Sequence, residues 1–113
     1  MRLGVVQLGA LLGAVLALSA CGVGKSWEVR MEVAGPREAT VQSSFAGGEK
    51  NPRPASRKLP WQDKQSVGFG FNDLSVTDAA PGTVCRIFVD GRLRDERVAD
   101  QDGAVTCHVN NQE

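Results

Sequence analysis

The chain has 113 residues, with 13 Lys and Arg against 13 Asp and Glu, so its formal net charge is zero. That balance implies no basic face of the kind a nucleic-acid binder needs, and no nucleic-acid partner is expected. The length allows one small domain, and nothing apolar after Cys21 is long enough to span a bilayer, which takes about 20 residues.

Met1-Arg2 is followed by an uncharged run from Leu3 to Leu18 and then by Ser19-Ala20-Cys21-Gly22. A cationic start, an apolar middle and small residues before a cleavage point make a secretory signal. Leu18-Ser19-Ala20-Cys21 resembles the lipobox of bacterial lipoproteins. The resemblance implies that residues 1–20 are removed and that Cys21 becomes a lipid-modified first residue. Residues 21–26 then form a lipidated flexible stem, 27–110 the folded domain and 111–113 a tail. The expected location is the extracytoplasmic face of the cell membrane, held by the lipid. Gly24-Lys25-Ser26 has the ending of a phosphate-binding loop, but Ser19 stands where that loop needs a glycine and no strand precedes it. A small-residue stem accounts for it.

Beyond the stem the periodicity changes to two. Trp27, Val29, Met31 and Val33 alternate with Glu28, Arg30 and Glu32, which predicts a half-buried antiparallel strand. Gly35-Pro36 breaks it, and Ala39, Val41, Ser43 and Phe45 predict a weaker second strand. Residues 47–52 read as a turn or loop. The basic stretch Arg53 to Lys58 carries Pro54 and reads as irregular or an edge. Its ordinary role is a solvated loop, and its functional alternative is contact with anionic headgroups beside the anchor. Val67, Phe69 and Phe71 alternate with glycines and predict one strand, with Leu74 and Val76 continuing after Asn72-Asp73. Ala79-Ala80-Pro81-Gly82 is a turn. Thr83 to Val89 predicts a strand with Cys85, Ile87 and Val89 on one face. Asp90-Gly91 then signals a type I′ hairpin into a charged strand, Arg92 to Val98, whose apolar points are Leu93 and Val98. Asp102-Gly103 reads as a second such turn, into the alternation Val105, Cys107, Val109. Six to eight short strands without an amphipathic helix predict an all-β fold, a small antiparallel sandwich.

Of the three cysteines, Cys21 is assigned to lipid. Cys85 and Cys107, in strand-like runs of an exported chain, read as one disulfide. The alternatives are two buried free thiols or half of a metal site. A zinc site would need two further ligands, and His108 is the only histidine.

Val29 to Gly35, Leu59-Pro60-Trp61, Cys85 to Gly91 and Val105-Thr106-Cys107 together resemble, in order and spacing, the MmpS family. These are small actinobacterial membrane proteins that accompany MmpL transporters of the resistance-nodulation-division class. The resemblance covers roughly residues 27–109. It implies an immunoglobulin-like β-sandwich, a Cys85–Cys107 bridge and a non-catalytic role in the transport or assembly of exported lipids and siderophores. This chain departs from the family in carrying a lipobox where members keep an uncleaved transmembrane helix. The alternative is a solitary envelope lipoprotein that binds a ligand or surface and has no transporter.

No cofactor, metal site or catalytic residue is expected. His108 falls opposite the apolar face of its strand, and no local motif supplies it with a nucleophile. Asp100, Asp102 and Gly103 lack the remaining ligands of a calcium loop. Leu59, Pro60 and Trp61 are the candidate partner surface, weighed against a tryptophan that fills the space between sheets.

Overall fold

A computed structural model of the chain describes residues 25–49 and 52–112; the leader and the lipobox, with Cys21, lie outside them. Every regular element among the described residues is a strand: β1 (Trp27–Ala34), β2 (Ala39–Ser44), β3 (Ala55–Arg57), β4 (Trp61–Val67), β5 (Gly70–Thr77), β6 (Val84–Val89), β7 (Arg92–Val98) and β8 (Val105–Asn111). They form two four-stranded antiparallel sheets, ordered β4-β1-β6-β7 and β3-β2-β5-β8. The expected all-β sandwich is observed, and the immunoglobulin-like expectation holds at the level of two stacked antiparallel sheets.

The period-two pattern explains the layering. Val29, Met31 and Val33 of β1 and Cys85, Ile87 and Val89 of β6 point inward from one sheet. They meet Val41, Leu74, Val76, Cys107 and Val109 of the other. Each fully buried aliphatic side chain of this kind contributes about 1.5–3 kcal/mol. Cys85 on β6 and Cys107 on β8 are both fully buried, 6.2 Å apart at Cα, and bonded through sulfur across the two sheets.

Asp90 and Gly91 have φ of 50° and 82°, as a type I′ turn requires. The turn is also tied to β1: the Asp90 N–H donates to the Glu28 carbonyl at 2.8 Å, and the Asp90 carboxylate accepts the Glu28 N–H at 2.9 Å.

Two expectations need correction. Val67, Phe69 and Phe71 do not share a strand: Val67 ends β4, the chain crosses to the second sheet at Gly68-Phe69, and β5 begins at Gly70. β5 runs on through Asn72-Asp73. Asn72 is fully buried and faces inward, its amide oxygen accepting the Ala46 N–H at 3.0 Å and its nitrogen donating to the Val109 carbonyl at 3.2 Å. Those bonds remove the penalty that polarity at a core position would otherwise impose. Asp102-Gly103 is not a two-residue hairpin, because β7 and β8 belong to different sheets. Gly103, at φ 73°, turns the chain between layers and its carbonyl accepts the Ala79 N–H at 3.1 Å.

Candidate functional site

Strand register assigns every candidate residue to one end or one flank of the sandwich. β1 pairs with β4 from Trp27↔Val67 at one end to Val33↔Trp61 at the other. The N-terminal segment therefore leaves from the Trp27 end, here called the near pole. Leu59, Pro60 and Trp61 lie at the far pole, about the length of a strand away.

At the far pole Leu59 and Trp61 are half-buried and pack against the core, while Pro60, after a cis bond, is exposed. Gly35 makes room for them: a Cβ there would lie 3.0 Å from Leu59 Cδ1 and 2.6 Å from Thr83 Oγ1. Trp61 separates two recesses. One, of about 250 Å³, is walled by Val33, Ala34, Pro60 and Gln62. The other, of about 420 Å³, runs along the flank past Val41, Ser43, Arg53 and Arg57. Trp61 is thus part core and part wall, a compromise between the two readings of its sequence.

The basic stretch forms the edge strand β3, in which Ala55 pairs with Val41 and Arg57 with Ala39. Ala39 is at the far-pole end of β2, since Thr40 pairs with Thr77 and Ser44 with Asp73. Arg57 and Lys58 therefore point the patch away from the N-terminal exit.

His108 is exposed on β8. Its Nδ1 lies 2.5 Å from Asp73 Oδ1 and its ring stacks on Phe71 with centroids 5.6 Å apart. Asp100 Oδ1 accepts the Asp102 N–H at 2.9 Å, a local turn bond. Among the described residues no three His, Cys, Asp or Glu side chains gather as a metal site would require, and no helix is long and apolar enough to cross a membrane.

Two side chains that sequence reasoning did not single out have clear tasks. Asp95, on the edge strand β7, accepts the His108 N–H of β8 at 2.8 Å and so bonds one sheet to the other. Partial burial pushes its carboxyl up. The N–H groups of His108 and Glu96 and the Arg97 guanidinium outweigh that and hold it below its ordinary value. Asn111 is the last inward position of β8, which runs one residue beyond the expected end of the domain. The alternation Cys107, Val109, Asn111 was the available signal for it.

Two stacked antiparallel sheets with a disulfide between them, opened at one flank beside a tryptophan, define a small disulfide-linked β-sandwich. Its kinship is more specific. A family model described as Mycobacterium membrane protein matches residues 23–112, and the chain belongs to that family, of the MmpS type. No curated protein sequence matches the chain.

Proposed function

We propose that this is a lipid-anchored, exported accessory protein that binds or positions an envelope transporter of the resistance-nodulation-division class, or that transporter's lipid or siderophore cargo, without catalysing a reaction. The observation that carries the reading is the family match over the whole sandwich, residues 23–112. Leu18-Ser19-Ala20-Cys21 supports the lipid form of the anchor. A tether confines the domain to the membrane plane and raises its effective concentration near membrane partners. Trp61 and its two recesses, facing away from the N-terminal exit, are the surface best placed to meet a partner that projects from the bilayer.

Crosslinking the full chain in native membranes tests this. The expected adduct is with a large multi-span transporter, lost when the chain is truncated after Gly24 and retained when His108 or Asp102 is substituted. Absence of any membrane-protein adduct refutes the accessory role. The lipobox in place of a retained helix favours a second reading, a solitary envelope lipoprotein, which that negative result would support. Fatty-acid labelling that is equal in wild type and Cys21→Ala would refute the lipid anchor in both.

A further inference from the structure

The near pole leaves aromatic side chains in solvent. Phe69 and Phe71 are 58% and 57% exposed. Phe69 occupies the β4–β5 crossing, edge-on to Trp27 with centroids 5.2 Å apart, and Lys25 Nζ lies 5.6 Å from the Trp27 ring centroid. Beside this tip is a recess of about 350 Å³ lined by Trp27, Arg94, Asn110, Asn111 and Gln112. Asn111 is only 3% exposed, yet neither its amide nitrogen nor its oxygen has a hydrogen-bond partner among the described residues. A buried amide left this way calls for a partner, an ordered water or the polar atoms of another molecule. On the anchored reading, the segment between the anchor and this pole is short. Cys21 and Lys25 are four residues apart, at most about 14 Å of extended backbone.

We propose that the near pole docks on the anionic surface of the bilayer that holds the N-terminal anchor, with Phe69 and Phe71 at the interface and a lipid headgroup phosphate in the recess between Arg94 and Asn111. The inference rests on the anchored reading above and adds an orientation and a lipid site to it. Exposed phenylalanine rings gain by burial at the boundary between headgroups and acyl chains. Lys25 adds attraction to anionic lipid. The Arg94 guanidinium offers the donor fork that matches a phosphate, and the Asn111 amide N–H donates beside it. In this pose Leu59, Pro60 and Trp61 face away from the bilayer.

The test uses the processed full chain, purified from membranes and reconstituted into phosphatidylcholine vesicles with and without phosphatidylglycerol. The lipids carry bromine quenchers high on the acyl chains. Phe69→Trp reports the near pole, and Val98→Trp, on an exposed position of β7 toward the far pole, is the control. The expected result is loss of most of the emission added by Phe69→Trp, none of that added by Val98→Trp, and a weaker phosphatidylglycerol dependence when Arg94→Gln is combined with Phe69→Trp. A chain that does not float with the vesicles fails on the anchor, and the proposal falls with it. A chain that floats while position 69 stays unquenched overturns the docking alone. A photo-crosslinker at position 71 that joins protein instead of lipid in native membranes also overturns it, in favour of a protein interface.

Discussion

The two flanks of the sandwich are built differently. On one, β7 and β8 lie against each other, Asp95 accepts the His108 N–H across the gap, and Cys85–Cys107 links the layers just behind. On the other, the edge strands β3 and β4 are linked through Lys58 to Pro60, and a groove of about 420 Å³ remains beside Trp61, Arg53 and Arg57. The same two sheets are stitched on one side and parted on the other. A small domain can leave a groove open when the opposite flank holds the layers in register. Trp61 belongs to both core and groove, since it packs on the one and walls the other.

Breaking the stitched flank should have the largest effect. Cys85→Ala with Cys107→Ala is expected to cost about 2–5 kcal/mol, as loss of a disulfide does in small secreted domains, and to lower the melting temperature measured by calorimetry. Peptide mapping without reductant should find these two cysteines joined to each other. On the open flank, Trp61→Ala should cost about 2 kcal/mol in denaturant melts, less than the 3–5 kcal/mol of a fully buried tryptophan, because the ring is half-buried. A loss of 4 kcal/mol or more would make Trp61 core rather than surface.

Asp95→Asn should cost about 1 kcal/mol, since a charge-assisted bond becomes a neutral one. The direction with pH follows from the depressed carboxyl. Its contribution is full above the unfolded value of about 3.9 and is lost as pH falls through the lower folded value. The gap between wild type and Asp95→Asn in urea titrations should therefore be constant near neutrality and close in acid; a gap that widens in acid would contradict the assignment. Smallest of all, Arg53→Ala with Arg57→Ala should change stability by no more than about 0.5 kcal/mol. The same pair would sharpen the comparison if it weakened crosslinking to a transporter without moving the melt.

Strands that bury one face were legible in the sequence. β1 and β6 alternate cleanly because their inner positions are Trp, Val, Met, Cys and Ile. The Asp90-Gly91 turn was legible because only positive φ at both residues suits it. β4 gave no signal: Gln62 to Ser66 are exposed on both faces of an edge strand, so no apolar period arises. Phe69 and Phe71 misled because an alternation of aromatic and glycine looks like a strand with a core face, whereas the chain changes sheets at Gly68 and leaves both rings outside. The inward place of Asn72 was not legible, because its polarity is visible in sequence and its two hydrogen bonds are not. For the candidate site, Trp61 was found but the groove beside it was not, since a groove between two edges depends on how sheets stack. Asp95 was hidden for the same reason: its partner is a backbone N–H in the other layer.

The place of β1 has a mechanical consequence. It is the first strand after the N-terminal segment, yet it lies inside its sheet, hydrogen-bonded to β4 along one edge and to β6 along the other. Any tension arriving through that segment runs along the axis of β1, across both ladders of hydrogen bonds, which lie perpendicular to it. Bonds pulled in this direction yield together, whereas those of an edge strand peeled from one end open one after another. The point where the chain leaves the fold is therefore also the point where the fold best resists being pulled apart.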